Sequence, residues 1–225
     1  MAEGKSAVII TAAGSSRRMQ GNKKKEYCFI GGRTVLEAAL LPFFESGLFE
    51  YFVLVIPRGD ESLVRGILKS FIYLEKLIFI EGGATRQESV FKGLCVLKEF
   101  LPELVLIHDG ARPYVSRELV ELVFLKTREK GACIPVVPAL NAMKRIDRSG
   151  VLTHHYERIE TVAAQTPQGF CYRDILKAHE AARKNNTVYI DDSEIYSHCK
   201  GSVYSVSGDV KNSKITYKHD LEQRK

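Results

Sequence analysis

The sequence predicts an α/β protein with a mostly parallel sheet and helices on both faces of that sheet. Continuous apolar runs, typical of strands buried on both sides, alternate with helical patterns of about a dozen residues. Most of the apolar runs lead into glycines or polar residues, as strands do where a loop follows. The 225 residues, 45% of them hydrophobic, suffice for one large core. We therefore predict a single domain over residues 1–225.

Strands and helices alternate along most of the chain. Apolar runs predict strands over residues 7–11, 51–56, 77–80, 104–107, 132–137 and 203–206. Helical periodicity predicts helices over residues 34–46, 61–71, 85–100, 116–130 and 174–184, with a short helix after residue 191. The side chains expected to cap these helices belong to Thr34, Thr85, Ser116 and Asp191.

Residues 138–161 break this alternation. The stretch 141–148 is polar and basic, and Ser149-Gly150 is typical of a hairpin turn. An insertion of this length in a compact domain is commonly a lid, an arm or a dimer contact. The sequence therefore predicts an arm that leaves the sheet over about residues 138–161.

Small residues and cations follow the first predicted strand. Ala12, Ala13 and Gly14 let the backbone approach a ligand closely, because little side-chain bulk covers their N–H groups. Arg18 and Lys25 then supply a guanidinium and an ammonium group, which commonly hold phosphate oxygens. The spacing matches neither the P-loop nor the dinucleotide fingerprint. We predict a phosphate-binding loop of another type, with a solvated surface loop as the alternative.

Two further loops follow predicted strands. Gly82 and Gly83 follow the third strand, and Asp109 and Arg112 follow the fourth. Because the carboxyl ends of parallel strands meet at one edge of a sheet, these loops and the phosphate-binding loop are expected to share one crevice. A carboxylate there suits Mg²⁺ or a ribose. We favour this role for Asp109 over simple pairing with Arg112.

The neighbouring titratable residues favour structural roles. His108 is expected to be a hydrogen-bonded structural residue, because a phosphate nucleophile is ionised at neutral pH and needs no general base. Asp191 and Asp192 resemble a metal pair, but a helix cap accounts for Asp191 without further assumption. On local sequence alone, Lys214 resembles an ordinary solvated charge.

The composition restricts the partners and the compartment. A net charge of +6 suits anionic partners, but without tryptophan or a basic stripe interleaved with aromatic residues we expect no nucleic-acid binding. No apolar run approaches the roughly 20 residues of a membrane span and no leader pattern is present, so we expect neither membrane insertion nor export. Five widely spaced cysteines without a C-x-x-C pair fit a reducing cytoplasm.

Together these motifs resemble one enzyme family. The sequence is similar to the 2-C-methyl-D-erythritol 4-phosphate cytidylyltransferases of the non-mevalonate isoprenoid pathway, and the matches run in family order over nearly the whole chain. Each motif is weak by itself, but the set is specific. The matching positions are Ala12 to Met19, Lys25, Gly82, Gly83, Arg86, Ser89, Val90, His108 to Pro113, Met143, Lys144, Arg158, Thr166 to Gln168, Asp191, Asp192, Gly208, Asp209, Asn212, Lys214 and Thr216.

The resemblance implies a Rossmann-like nucleotidyltransferase domain, an arm that builds a homodimer, and a reaction of CTP with a sugar-alcohol phosphate in the presence of Mg²⁺. By correspondence, Arg18 and Lys25 stabilise the transition state on the triphosphate. Lys214 and Arg158 of the partner subunit position the acceptor phosphate, and Arg112 lies near the acceptor. The implied nucleotide contacts are Ala12, Ala13, Gly14, Gly83, Ala84, Ser89, Asp109 and Ala111, with Asp109 also near the metal.

Three departures from the family pattern keep other interpretations open. Lys24 replaces a proline, Asn141 and Ala142 replace an aspartate and a threonine, and Ile190 replaces a threonine. The second departure removes a charge and a hydroxyl from the implied acceptor pocket. A ribitol 5-phosphate cytidylyltransferase and a CTP-binding protein without turnover are therefore the alternatives.

Overall fold

The structure is a computed structural model that describes residues 4–14 and 24–221. The strands are β1 (Ser6–Thr11), β2 (Phe29–Ile30), β3 (Arg33–Thr34), β4 (Tyr51–Ile56), β5 (Leu77–Glu81), β6 (Leu104–Asp109), β7 (Ala132–Pro138), β8 (Lys144–Ile146), β9 (Leu152–His155), β10 (Val162–Ala164), β11 (Gln168–Cys171) and β12 (Tyr204–Ser207). The α-helices are α1 (Val35–Ser46), α2 (Glu61–Ile67), α3 (Arg86–Val96), α4 (Arg117–Lys130), α5 (Tyr172–Lys184) and α6 (Asp192–Cys199). None of these helices has the length and apolar character needed to cross a membrane.

Within the described residues, eight strands form one sheet with a parallel half and a mixed half. β1 lies between β4 and β6 and runs parallel to both, and β5 adds a parallel strand beyond β4. In the other half, β11 runs antiparallel between β6 and β7. β10 pairs antiparallel with β7, and β12 pairs parallel with β7. The carboxyl ends of β1, β4, β5 and β6 therefore share one edge.

Alternate residues of the central strands face two different cores. In β1, Val8 and Ile10 join the core that packs against α1, α2 and α4. Ala7 and Ile9 join the core that packs against α3, α5 and α6. β4 and β6 divide their side chains in the same way. The apolar runs are thus strands with helices on both faces, and the predicted α/β class is confirmed.

Polar side chains fix where the helices begin. At α1, Thr34 Oγ1 accepts a bond from the Glu37 N–H at 3.1 Å, and the Glu37 carboxylate accepts one from the Thr34 N–H at 2.9 Å. This reciprocal pair is a capping box. Thr85, Ser116 and Asp191 cap α3, α4 and α6, each accepting a bond from the N–H three residues on. The predicted helix starts are therefore confirmed.

The short strands β2, β3 and β10 were not predicted, and α5 begins at Tyr172 and not at residue 174. Two further differences concern the main sheet and the first core. The helix predicted over residues 61–71 ends at Ile67. The chain turns there because the Phe71 N–H bonds to the Leu68 carbonyl and both side chains enter the first core. The strand β11 was not predicted, since it has only four residues and includes Gly169. Such a segment has weak strand propensity, and its pairing with β6 and β7 is long-range.

Residues 139–161, called the arm below, lie outside the main sheet. β8 and β9 pair only with each other among the described strands. In the turn between them, Asp147 Oδ1 accepts bonds from the N–H groups of Ser149 and Val151 at 2.9 and 3.0 Å. Gly150 has a φ of 91°, in the left-handed region that glycine adopts readily. Almost every side chain of the arm is exposed.

Candidate active site

A pocket of about 760 Å³ lies beyond the carboxyl ends of the parallel strands, a size typical of small-molecule sites. Thr11 ends β1, Asp109 ends β6, and the turn after β5 leads into α3. The three loops predicted to converge do so here. The predicted site residues that line the pocket are Ala13, Gly14, Lys25, Gly83, Ala84, Ser89, Asp109, Ala111 and Lys214.

The turn between β5 and α3 fits closely against the loop after β1. A Cβ atom at Gly82 would lie 2.4 Å from the Ala13 Cβ and 2.9 Å from the Ser89 Oγ, so a larger residue does not fit without movement. The Ser89 hydroxyl also accepts a bond from the Gly83 N–H at 3.0 Å. This bond ties the turn to the first residues of α3 and sets the shape of one wall of the pocket.

Asp109 lies among three cations. Its Oδ2 is 2.7 Å from the Lys214 Nζ and 3.7 Å from the Arg112 Nε. Its Oδ1 is 3.1 Å from the Arg86 Nε. The two interpretations of Asp109 are therefore compatible, because the residue both pairs with Arg112 and lines the pocket. Lys214 is not a solvated surface charge, since it reaches the same carboxylate.

These charges keep the Asp109 carboxylate ionised. Burial by itself would raise the pKa of Asp109, but the positive charges of Arg86 and Lys214 overcome that effect and hold the pKa well below its usual range. Burial alone would lower the pKa of Arg86, whereas the carboxylates of Asp192 and Asp109 raise it, with a net rise. At neutral pH the ionised Asp109 therefore lies among several cations, which together suit a polyanionic ligand.

Lys25 joins two loops of the pocket. Its ammonium donates to the Ile215 carbonyl at 2.8 Å, and the Ile215 N–H donates to the Ala111 carbonyl at 2.8 Å. Lys24, which departs from the family pattern, donates from its Nζ to the Gly14 carbonyl at 3.3 Å. Lys24 thus bonds to the backbone of the loop after β1 and is not part of the pocket lining.

The other predicted site residues lie in different surroundings. Ala12 is 1% exposed, belongs to the first core and does not line the pocket. Arg112 reaches Asp109 and also donates from Nη1 to the Asn212 carbonyl at 2.8 Å. Arg158 lies on the arm, does not line this chain's own pocket, and donates to another arm residue. Arg18 lies outside the described residues. The roles assigned to these residues by resemblance stay predictions.

His108 is a structural residue, as expected from the sequence. It is fully buried, its Nε2 donates to the Arg112 carbonyl at 3.3 Å, and its Nδ1 accepts from the Thr166 hydroxyl at 2.9 Å. Burial lowers the pKa of His108 to about 3. The imidazole is therefore neutral at physiological pH, and its hydrogen bonds hold the loop after β6 in place.

Sequence reasoning missed an ion pair behind the pocket. The Arg86 Nη1 lies 2.7 Å from the Asp192 Oδ2, and the Asp192 side chain is wholly buried. His179 donates from Nε2 to the Asp192 Oδ1 at 3.1 Å. Arg86 was among the positions that match the family, but neither its place at the pocket nor its pairing with Asp192 was predicted. Its position at the start of the helix that follows the glycine turn is the signal that could have placed it there. The pocket-lining residues that were given no role in binding or catalysis are Thr11, Glu26, Thr85, Arg86 and Thr216.

The pocket fits Mg²⁺ if Asp109 is the protein ligand and the substrate phosphates and water supply the rest. The described residues include no cluster of three or more histidine, cysteine or carboxylate side chains that could hold a metal by themselves. Mg²⁺ commonly binds one or two carboxylates together with substrate phosphates and water, and the ionised Asp109 fits that pattern. The pair Asp191 and Asp192 does not fit, because Asp191 caps α6 and Asp192 pairs with Arg86.

A mostly parallel sheet with a cationic pocket beyond its strand ends, bordered by a glycine turn, is typical of α/β nucleotidyltransferases. Comparison with known families identifies the particular one. The family described as IspD, 2-C-methyl-D-erythritol 4-phosphate cytidylyltransferase, matches residues 6–224. The chain belongs to this family, and the resemblance inferred from the motifs is confirmed.

Individual relatives agree with this assignment. The bifunctional enzyme IspD/IspF of Bradyrhizobium sp. (strain ORS 278) is 37% identical, and the match covers 96% of this chain but 55% of that enzyme, so the chain spans about half its length. The 2-C-methyl-D-erythritol 4-phosphate cytidylyltransferase of Bacillus cytotoxicus is 33% identical, with 95% and 93% covered. The solved 4-diphosphocytidyl-2C-methyl-D-erythritol synthase of Anaerococcus prevotii superimposes with a TM-score of 0.85, 29% identity, and 98% and 94% covered.

Proposed function

We propose that this chain transfers the CMP moiety of CTP to 2-C-methyl-D-erythritol 4-phosphate. The products are 4-diphosphocytidyl-2-C-methyl-D-erythritol and pyrophosphate, and the reaction belongs to isoprenoid precursor biosynthesis. The observation that carries this proposal is the convergence of Lys25, Asp109 and Lys214 on one pocket in a chain of this family.

The charges of the pocket suit an in-line displacement at the α-phosphorus. The acceptor phosphate is ionised at neutral pH and attacks without a general base while pyrophosphate leaves. Negative charge spreads over the phosphoryl oxygens as bonds form and break. Lys25 stabilises this charge from a nearly buried position, 8% exposed, where electrostatic interactions are strong. Lys214 exchanges the Asp109 carboxylate for an acceptor phosphate oxygen.

The turn after β5 favours cytosine through its carbonyl groups. The Gly83 N–H donates to Ser89 and the Ala84 N–H donates to the Glu88 carboxylate at 2.8 Å, so these amides are already bonded. Carbonyl oxygens accept hydrogen bonds, and cytosine presents an exocyclic amine where thymine or uracil presents an oxygen. We expect tighter binding of CTP than of UTP, and equal affinities would contradict this role of the turn.

We propose Mg²⁺ as the cofactor, with Asp109 as its ligand from the protein. When bound, the metal neutralises charge on the triphosphate and orients its oxygens. Arg86 and Lys214 contribute by holding the Asp109 carboxylate in its ionised form. The remaining ligands would come from the phosphates and water.

The test is pyrophosphate release from CTP and Mg²⁺ with 2-C-methyl-D-erythritol 4-phosphate or ribitol 5-phosphate. Release with the first acceptor and not the second supports the proposal. Asn141 and Ala142 motivate the ribitol 5-phosphate alternative, since they remove a charge and a hydroxyl from the implied acceptor pocket. Release with the second acceptor alone would establish that alternative. No release with either, given measurable CTP binding, would identify a CTP-binding protein without turnover.

We propose further that the chain is a cytoplasmic homodimer joined through the arm. Large apolar side chains are exposed there, including Leu140 at 74%, Ile146 at 61% and Ile159 at 93%. Several large exposed apolar side chains on one segment commonly mark an interface. In such a dimer, Arg158 of the partner subunit would complete the acceptor site. All five cysteines are free thiols, which suits a reducing compartment.

A further inference from the structure

A chain of charged and hydrogen-bonded side chains extends from the pocket to the start of α6 and on to α5. The Asp109 Oδ1 lies 3.1 Å from the Arg86 Nε, and the Arg86 Nη1 lies 2.7 Å from the Asp192 Oδ2. His179 donates to the Asp192 Oδ1 at 3.1 Å, and the side chains of Asp192 and His179 are both wholly buried. One guanidinium therefore bridges a carboxylate that lines the pocket and a carboxylate behind it.

The two cations closest to Asp109 differ in what else holds them. Among ion pairs within the described residues, Lys214 pairs with Asp109 alone, whereas Arg86 pairs with two carboxylates. Lys214 can thus move to a phosphate by breaking one ion pair. Arg86 cannot leave Asp109 without leaving a wholly buried Asp192 partly unpaired, which is strongly unfavourable.

We propose that Asp192 is a positioning residue that fixes Arg86 against Asp109, so that Asp109 keeps a hydrogen-bonded cationic side chain when Lys214 moves to the acceptor phosphate. This inference rests on the function proposed above. Without the anchor, Arg86 is free to follow the triphosphate. Arg112 stays 3.7 Å from the Asp109 carboxylate, beyond hydrogen-bond distance, so Asp109 holds Lys214 as its hydrogen-bonded cation. His179 supports the anchor by bonding the second oxygen of Asp192.

The primary test is the Asp192→Asn variant, assayed for CTP affinity by calorimetry and for turnover per CTP-binding site. The substitution keeps the shape of the side chain and removes its charge. We expect turnover per site to fall about tenfold or more while CTP binds at least as tightly, because the pocket gains net positive charge. A purely structural role would lower the number of binding sites and leave turnover per site unchanged. Turnover per site within about twofold of the wild type would overturn the inference.

A double-mutant cycle with Arg86→Lys tests whether Asp192 acts through Arg86. Lysine keeps the charge but cannot bond two carboxylates in the geometry of a guanidinium. If Asp192 acts only through Arg86, adding Asp192→Asn to Arg86→Lys has no further effect on turnover per site. Additive losses would overturn the inference. The matched controls are Arg65→Lys and Asp174→Asn, which alter surface ion pairs away from the pocket.

Two further measurements keep the inference testable in every case. If Asp192→Asn does not fold, His179→Asn is the substitute, because it removes the histidine bond to Asp192 and keeps the charge of Asp192. The inference then requires turnover per site to fall about threefold or more. If the wild type shows no transfer, the proposed function fails by itself. The crystal structure of Asp192→Asn then decides, because an Arg86 Nε that stays within hydrogen-bond distance of the Asp109 Oδ1 contradicts the anchor.

Discussion

Lys25 lines the pocket with an ammonium group that bonds to the Ile215 carbonyl. Because this group is fixed before the substrate binds, its contribution is expected to be largest where phosphoryl charge develops. We predict that Lys25→Ala lowers kcat about 100-fold or more and raises the CTP dissociation constant much less. Arg18→Ala is expected to act in the same direction, by correspondence with the family. Steady-state kinetics and calorimetry together measure the two effects.

The adjacent lysine provides the control for that experiment. Lys24→Ala removes an ammonium group that bonds to the Gly14 carbonyl and does not line the pocket. Its effect on kcat is expected to stay within about threefold. Equal losses of CTP affinity and of turnover in Lys25→Ala would contradict the transition-state role, since they would indicate uniform binding.

His108 makes the folded state sensitive to acid. Burial lowers the pKa of His108 to about 3, whereas the unfolded chain binds a proton below about pH 6.5. Between these values the unfolded state holds more protons, so the free energy of unfolding falls as the pH falls. The contribution of His108 is about 2 kcal/mol between pH 6 and pH 4. Chemical denaturation across this range is expected to show that decrease, with Asp109 and Asp192 contributing only at lower pH.

Replacement of the imidazole isolates this contribution. Between pH 6 and pH 4, the free energy of unfolding of His108→Gln is expected to fall by about 2 kcal/mol less than that of the wild type, whatever the change in overall stability. His155→Gln, at an exposed position of β9, is the matched control and keeps the wild-type slope. An unchanged slope in His108→Gln would mean that His108 is not the group that titrates.

The turn that joins β5 to α3 is the element most sensitive to added volume. Its Gly82 lies so close to Ala13 and Ser89 that a Cβ atom would overlap both. We predict that Gly82→Ala lowers the free energy of unfolding by about 1–3 kcal/mol and weakens CTP binding, because the turn shifts against the pocket. In contrast, Gly66 in α2 has open space around the added Cβ, so Gly66→Ala is expected to stabilise by about 0.5–1 kcal/mol. Denaturation curves and CTP titrations distinguish the two variants, and similar effects would refute the steric explanation.

The elements found from the sequence share a local cause. The apolar runs of β1, β4 and β6 and the caps at Thr34 and Ser116 depend on residues close together in the chain, so their patterns are visible without the fold. β11 depends on partners from β6 and β7, and its own four residues carry little preference. β11, the one strand of the sheet interior that was not predicted, therefore depends on long-range pairing and not on its local sequence.

The same distinction separates the predicted and missed parts of the site. Residues that follow strands, such as Gly83 and Asp109, were placed at the pocket because the topology of a parallel sheet brings strand ends together. The pairing of Arg86 with Asp192 joins the beginnings of two helices distant in sequence. No local sequence pattern predicts such an ion pair, and the helix cap accounted for Asp191 without indicating a role for Asp192.

At the scale of the whole molecule, the proposed dimer makes a prediction about shared sites. Arg158 lies on the arm and Lys214 lines the pocket of its own chain. Mixing the two inactive variants Arg158→Ala and Lys214→Ala would give heterodimers with one intact site each, if the arm reaches the partner. With random exchange of subunits, about a quarter of wild-type activity is expected to return.

The complementation experiment has a clear negative result. If Arg158 acts within its own chain, both sites of every heterodimer stay defective, and mixing restores no activity. Sedimentation of the unmixed proteins controls for assembly, since a chain that remains a monomer at assay concentration would contradict the proposed dimer directly.

The division of β1 between two cores limits how this sequence can change in length. Loss or gain of one residue within the strand would move Val8 and Ile10 to the opposite face and exchange the contents of both cores. It would also shift Thr11 out of register with Asp109 on β6. The exposed turn between β8 and β9 carries no such constraint. During evolution, insertions and deletions are therefore confined to segments such as this turn, while the central strands change only by substitution.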